Sequence, residues 1–468
     1  MPSRDFQDGL FDASDLGESG DGSGPKKHVR SQVVFRKTES VDSFGLEHLF
    51  DFPQDDISRQ LKRALAEVDL SLLVGGYRDC GGVPYEPRAM LGVWLLGYAL
   101  GVSSSRELER RCRFDIRFIY LSDRMQPDYR TLARFRRRLS GDLDALFKSV
   151  LSACRKQRMV PMRRVALDGT KMESPASRPS PTAEVQACGL DSSPTSDSEA
   201  RFMRTAKGFV YGYNVQAAID VDSGVVLAVS ASDCPGDRSQ LPPMLERIQS
   251  LTGKTPDALL ADSGYDSNEA YEACRKAGCE SFIPLSEASA AFWSAVDEKE
   301  VVCPMGHAPS NIRVAEAHGK FYKEYSVPKP TCTACPFQRS CCPCGRRYVT
   351  STLDGSPSTR VLAFHRARSP EGKIARTQRL ASIEPFFART KWNRGLRRLR
   401  LRGIDGANIE MTLNALAENL ILLARALQTR LDRTRNPFDR SRLAKILQRL
   451  AEKYALIQSN QYPRLQSP

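Results

Sequence analysis

The spacing of apolar residues divides the chain into a helical front, a middle of alternating strands and helices, and a helical end. From about Phe44 to Met159 hydrophobic positions recur with helical period. The run RAMLGVWLLGYAL predicts a buried helix. SSSRELERRCRF predicts a second, with Ser104 and Glu107 spaced as a capping box. In PDYRTLARFRRRL, Pro127 and Asp128 suit a helix start, with Asp128 as cap. Leu132, Phe135 and Leu139 then form a buried stripe, and Arg130, Arg134 and Arg137 share another face. The pattern changes at Val165. RRVALDG reads as a short strand ending at Asp168 and Gly169, and FVYGYNVQAAID and GVVLAVSA read as two strands turning at Asp222–Gly224. A helix at LPPMLERIQSLTG is followed by DALLADSGY, an apolar run ending in Asp262, then by a helix at SNEAYEACRKAG and a strand at ESFIPL. Short strand-like pieces occupy 300–350. From Gly372 the chain is helical again: NIEMTLNALAENLILLARAL predicts an amphipathic helix packed on the sheet, and a basic helix from Arg440 to Tyr454 closes the chain. No internal repeat is present.

Strands alternating with helices predict an α/β core, and 468 residues exceed what one ordinary core holds. The first 40 residues, rich in Gly, Ser and Asp, read as a disordered tail, and the Ser-, Pro- and Thr-rich stretch 173–200 as a loop. Lys and Arg total 69 against 55 Asp and Glu, a net charge of +14, which favours a polyanionic partner, nucleic acid above all. No secretory signal opens the chain, and its longest apolar stretch, Ala89–Val102, is too short to span a bilayer. The expectation is a cytoplasmic, nucleoid-associated protein with no membrane partner. Its 13 cysteines would then be reduced, so the six between Cys303 and Cys344 need a local explanation.

Two strands each end in an acid. A buried parallel strand delivers its last residue to the sheet edge where ligands bind. Two carboxylates there repel, and a divalent cation between them is the natural compensation. Either aspartate alone would read as a turn former. The third acid is Glu384, ringed by Arg376, Arg379, Arg389, Lys391 and Arg394. Between Lys373 and Arg402 it is the single acid among ten bases. An isolated Glu there would be a surface ion-pair partner. One acid amid ten bases suits a place where metal ions and phosphates meet. In the cysteine stretch, Cys303-Pro-Met-Gly-His307 is followed by Cys332-x2-Cys335 and then Cys341, Cys342 and Cys344. A C-x2-C pair supplies two thiolates from one turn, and a second pair completes a tetrahedral zinc site. The alternative is a metal-free cluster of reduced thiols.

The motifs together resemble the DDE transposases of bacterial insertion sequences, in the subgroup with a cysteine-bearing insertion before the final Glu. VALDGTKM resembles the first-Asp motif, GFVYGYNVQAAID the strand pair after it, ADSGY the second-Asp motif, and IEPFFARTKWNRGLRRLRLRG the Glu motif, with Lys391 seven residues after Glu384. PYEPRAMLGVWLLGYALGVSSSRELERRCRFDIRFIYL and PDYRTLARFRRR resemble the helical DNA-binding domain of these enzymes. The match covers roughly 45–425. One departure is that the family has a Tyr, then Arg, shortly before the Glu; here the stretch is IARTQRLAS, leaving Arg376 or Arg379 for that place.

The resemblance implies an RNase H-like (DDE) catalytic core with a helical N-terminal domain and a small zinc-ribbon-like insertion. The expected divisions are a tail at 1–40, a DNA-binding domain at 41–160, core at 161–299, the cysteine-rich insertion at 300–350, the rest of the core with the Glu helix at 351–430, and a basic C-terminal helix or tail at 431–468. It further implies metal-dependent cleavage and strand transfer of DNA at terminal inverted repeats into a target, with a homodimer assembled on the DNA. Asp168 would bridge two Mg²⁺ (or Mn²⁺) ions, with Asp262 and Glu384 each completing one. Arg130, Arg134, Arg137, Lys391, Arg394, Arg397 and Arg398 would contact DNA. Zn²⁺ would take Cys303, Cys332, Cys335 and Cys341, where the family places cysteines, with His307, Cys342 or Cys344 able to replace one. A nuclease on the same fold that does not join strands, and an inactive copy that only binds DNA, are the alternatives.

Overall fold

Among the described residues seven helices precede the sheet: α1 (Ile57–Ala66), α2 (Ser71–Val74), α3 (Pro87–Ala99), α4 (Ser105–Phe114), α5 (Ile116–Leu121), α6 (Tyr129–Arg138) and α7 (Leu143–Lys156). The computed structural model describes residues 53–176, 196–285, 311–336, 348–351 and 366–435, apart from breaks at 54, 76, 78–82, 206–207 and 318–319, and the single residues 305, 307, 338, 363 and 448. The expected tail, the closing helix other than Gln448, and Cys303, Cys341, Cys342 and Cys344 lie outside the described residues.

Local chemistry accounts for the helix starts. Pro87 sits in the first turn of α3, where its missing N–H costs nothing, and the Glu86 carboxylate accepts from the Ala89 N–H at 2.6 Å. Apolar on all sides, α3 is buried along its length, with the Trp94 indole donating to the Leu132 carbonyl at 3.1 Å. Asp128 caps α6 by accepting from the Arg130 and Thr131 N–H groups, both at 2.9 Å. Leu132, Phe135 and Leu139 are buried, while Arg130, Arg134 and Arg137 are exposed. The capping box at α4 does not form. Ser104 occupies the cap position without a side-chain bond, and Glu107 turns instead to Arg110 and Arg111. Two guanidinium partners three and four residues on offer stronger, charge-assisted bonds than one backbone N–H.

The sheet contains β1 (Arg164–Glu173), β2 (Arg201–Thr205), β3 (Gly208–Asp220) and β4 (Val226–Ser232), then, after α8 (Leu241–Thr252), β5 (Ala258–Leu260) and, after α9 (Asn268–Lys276), β6 (Glu280–Phe282). Its order is β2-β3-β1-β5-β6, with β4 also on β3. The pairs around β3 are antiparallel, while β1–β5 and β5–β6 are parallel. The expected β3–β4 turn is made by Gly224 at φ +75° and by the Asp220 carboxylate, which accepts from the Asp222 and Ser223 N–H groups. A separate antiparallel sheet follows, made of β7 (Asn311–Ala317), β8 (Lys320–Ser326) and β9 (Tyr348–Ser351), with the short α10 (Lys329–Thr333) before β9.

Two long helices follow among the described residues. α11 (Pro370–Ala388) is capped by the Ser369 hydroxyl and runs into a π-helical turn, Arg389–Asn393. α12 (Gly403–Arg435) was expected to be amphipathic, but it is enclosed on nearly all sides between Ala407 and Ala424. It lies between β4 on one side and α1, α3 and α7 on the other, so the stripe expected to face solvent is covered by the N-terminal helices. Its buried polar residues have work to do at the sheet edge. The Asn419 amide donates to the Val226 carbonyl and accepts from the Val226 N–H, both at 2.8 Å, and the Asn408 side chain accepts from Ala231 at 2.8 Å. These bonds satisfy backbone groups on β4 that no strand pairs. Asn419→Leu should therefore lower stability by roughly 2–4 kcal/mol, since two buried backbone groups lose their partner. A urea midpoint shifted by less than about 1 kcal/mol would show that this edge contributes little.

Candidate active site

The parallel pairing of β1 with β5 ends at Ala166 and Leu260. Two residues further on each strand stand Asp168 and Asp262. A shared register and a side-chain period of two place them abreast on one face. The expected end of β1 at Asp168 needs correction: the strand continues to Glu173, held by β3, with Asp168 opposite Ala217. It is the parallel ladder that stops short of it, at Ala166. Asp262 begins the turn Ser263–Tyr265, its carboxylate accepting from the Gly264 N–H at 2.8 Å.

α11 crosses β1, β3 and β5 on the Asp168 face. Ala375 packs with Ala258, Leu260 and Phe282, and the Arg164 guanidinium donates to the Gln378 amide oxygen at 2.6 Å. This seats Arg379 with its Nη1 2.7 Å from the Asp168 Oδ2. Of Arg376 and Arg379, it is Arg379 that reaches Asp168, while Arg376 is exposed. Burial raises the Asp168 carboxyl above its ordinary pKa; the Arg379 charge opposes the rise and the Asp262 charge adds to it. Beyond α11 the π turn carries Lys391, whose ammonium donates to the Thr170 hydroxyl, two residues past Asp168. Burial lowers the Lys391 pKa, and the nearby Lys171 and Arg397 charges lower it further.

Glu384 is also on α11, but exposed, five residues beyond Arg379 and about 140° further round the helix. Its carboxylate makes no hydrogen bond or ion pair among the described residues, and no three metal-ligating side chains converge among them. The structure thus brings together Asp168, Asp262, Arg379 and Lys391, and leaves Glu384 on the same helix, turned outward. The nearest other acid on the neighbouring helix, Glu410, is fully buried, one oxygen accepting from the Arg400 and Leu401 N–H groups at 2.7 and 2.5 Å.

The expected DNA-contacting bases separate in the same way. Arg394 is buried, bonded to Glu418 and, at 3.0 Å, to the Asn414 side chain. Arg398 donates to the carbonyls of Ser174, Pro175 and Ala176. The Arg397 guanidinium lies 3.2 Å from the centre of the exposed Trp392 ring. A basic run does not reveal which of its members find partners within the chain. Asp237, in the loop after β4, went unnoticed because an aspartate after Pro-Gly reads as a turn residue; it packs behind Gly169. Of the zinc candidates, Cys332 is buried at α10 and Cys335 is half-buried just after it.

A family model described as the transposase DDE domain matches residues 161–420, more than half of the chain. The chain belongs to the DDE transposases. A second model, a transposase domain (DUF772), matches 47–138 of this transposase, the region of α1 to α6. No curated protein matches its sequence. Among solved structures, a piggyBac transposase in a synaptic complex with hairpin DNA is 10% identical, covering 80% of this chain and 75% of its own, at a TM-score of 0.32; a likeness that low adds nothing to the family assignment. As a DDE transposase the protein is a polynucleotidyl transferase, and its mixed sheet, antiparallel around β3 and parallel through β5 and β6, fits an RNase H-like core. No helix among the described residues is long and apolar enough to cross a membrane.

Because Arg379 opposes the rise in the Asp168 pKa, Arg379→Gln should raise it further in the metal-free transposase. In the folded protein Asp168 then keeps a proton that the unfolded chain has already released. Stability therefore falls as pH rises through that window, and does so over a wider range in the variant. A carboxyl-carbon NMR titration checks this; an unchanged or lower Asp168 pKa in Arg379→Gln would contradict it.

Proposed function

We propose that this transposase cuts and joins DNA at the terminal inverted repeats of an insertion sequence, using Asp168, Asp262 and Glu384 as its carboxylate set. The observation that carries the reading is the Asp168–Asp262 pair, set abreast where the parallel ladder ends, with the Glu384 helix crossing the same strands. The donor set fits hard divalent cations: the Asp262 charge adds to the raised proton affinity of Asp168, and oxygen ligands of this kind suit Mg²⁺ or Mn²⁺. When bound, two such ions activate an attacking hydroxyl and stabilise the leaving oxygen of the scissile phosphate.

The remaining steps fall to the chain's own residues. Arg379 supplies the positive charge beside Asp168 in the metal-free protein. With a divalent ion held by the two aspartates, that guanidinium would be available to a phosphate oxygen of the DNA. Lys391, anchored on Thr170, holds an ammonium on the same face, and Arg397 with Trp392 lies just beyond it. Glu384, on the helix that carries Arg379, would be the third carboxylate to hold the ions. DNA ends are recognised by α6, whose buried Leu132 and Phe135 fix the helix while Arg130, Arg134 and Arg137 face outward. A homodimer assembles on the DNA, in the nucleoid. A zinc ribbon uses Cys332 and Cys335 with Cys303 and Cys341.

Asp168→Ala, Asp262→Ala and Glu384→Ala should each abolish metal-dependent strand cleavage and joining on end-bearing DNA, with binding to that DNA kept. Near-normal cleavage by Glu384→Ala would remove Glu384 from the set. Arg130→Ala and Arg134→Ala should weaken binding to the terminal repeat more than to random duplex, by about 1–3 kcal/mol where a guanine contact is lost. Equal loss on both, with the salt slope reduced by about 0.9 per contact, would make α6 a backbone clamp. Elemental analysis of freshly reduced protein should find about one zinc per chain, lost on replacing Cys332 and Cys335; its absence from the unaltered protein would remove the ribbon.

A further inference from the structure

Behind the paired aspartates, on the opposite face of the sheet, lies a connected set of polar side chains that the reaction scheme leaves unused. Residues 169 and 171 of β1 point away from the Asp168 and Thr170 face, and their partners on β3 are Gln216 and Asn214. Into this patch the loop after β4 places Asp237. One oxygen of Asp237, Oδ1, accepts from the Asn214 amide at 2.7 Å, the Gln216 amide at 2.9 Å and the Lys171 ammonium at 3.2 Å. The Gln216 amide oxygen in turn accepts from the buried Tyr265 hydroxyl, in the turn that Asp262 begins. The same loop is tied to that turn a second time: the Arg238 guanidinium donates to the Asp266 carbonyl at 3.0 Å, and the Ser267 hydroxyl donates to the Arg238 carbonyl at 3.2 Å.

The glycines beside the two catalytic aspartates show how closely Asp237 approaches. A methyl group on Gly169 would stand 2.7 Å from the Asp237 Oδ1 and closer still to the Gln216 amide. A methyl group on Gly264 would stand 2.9 Å from the Asp262 Oδ1 and 3.8 Å from the Asp237 Oδ2. Asp237 thus lies beside both strand ends, near the glycine one residue after Asp168 and the glycine two after Asp262. Between those ends no ladder bond remains, because the β1–β5 pairing stops at Ala166 and Leu260. Side chains must set the spacing there, and Asp237 is the acceptor on which they converge.

We propose that Asp237 is a positioning residue: through Lys171, Gln216 and Tyr265 it fixes the separation of Asp168 and Asp262, and so the geometry offered to the divalent ions. The inference rests on the reading of Asp168 and Asp262 as metal ligands. Partners that orient ligands typically affect metal affinity or activity about 10–100-fold. Mg²⁺ demands near-ideal octahedral geometry, so a loosened pair should fail with Mg²⁺ before it fails with the larger, less exacting Mn²⁺.

The test uses the full-length transposase with Asp237→Ala and, as a milder cut in the same network, Gln216→Met. Metal binding is read by calorimetry with Mg²⁺ and Mn²⁺ in the absence of DNA. Cleavage of an end-bearing duplex is titrated with each ion. Asp237→Ala should weaken Mg²⁺ binding, and raise the Mg²⁺ midpoint for cleavage, by about 10–100-fold, with most activity restored by Mn²⁺ and DNA binding unchanged. Gln216→Met should shift both in the same direction by less. Unchanged Mg²⁺ binding and midpoint in Asp237→Ala would overturn the proposal. So would a loss equal in both ions and accompanied by loss of DNA binding, with Gln216→Met behaving as the unaltered protein, because that pattern marks a fold defect. Asp168→Ala separates the underlying reading: if it keeps metal binding and cleavage, the ligand assignment fails; if it loses both while Asp237→Ala is normal, only the positioning role fails.

Discussion

The buried charge of Asp168, with Asp262 beside it, is the constraint that the surrounding residues answer. Parallel pairing of β1 with β5 sets the two carboxylates in register, and burial of Asp168 makes its charge costly. Their surroundings answer that cost. α11 delivers the Arg379 guanidinium to Asp168 on one face, and the Lys171–Asp237–Gln216 set ties the strand ends from the other. A buried carboxylate held by a single arginine, with a second carboxylate beside it, is where the proposed function would seat a divalent cation.

The scaffold that holds this pair is continuous with the N-terminal helices. α12 serves both parts, covering the free edge of β4 with Asn408 and Asn419 and packing α1, α3 and α7 on its other side. Near its start a buried polar joint forms. Arg136 of α6 lies over the Trp94 ring and donates to the Ser103 carbonyl at 3.1 Å, Arg400 donates to the Ser103 hydroxyl at 2.8 Å, and Glu410 accepts from the Arg400 backbone. The helix proposed to read DNA ends and the basic segment after α11 are therefore joined through shared buried partners.

Local patterns foretold the elements well because they are local. Asp128 caps α6, and the Leu132, Phe135 and Leu139 stripe is buried, as helical spacing requires. The acid-ending apolar runs at Asp168 and Asp262 became neighbouring strands. What spacing could not show is long-range pairing. The capping box at Ser104 lost to Glu107–arginine bonds, and the outward stripe of α12 met the N-terminal helices α1, α3 and α7. Arg394 and Glu384 illustrate the same limit in opposite directions. Surrounded by like residues in sequence, Arg394 is buried on Glu418, while the lone acid Glu384 faces outward. Asp237 escaped notice because its three donors come from strands far from it in sequence.

Anomalous diffraction from crystals of the transposase bound to its DNA ends and soaked in Mn²⁺ tests the carboxylate assignment most directly. The expected map has manganese between Asp168 and Asp262, with Glu384 turned in as a further ligand and Arg379 withdrawn from Asp168. Manganese bound elsewhere, with the Arg379–Asp168 pair intact beside the DNA, would contradict it.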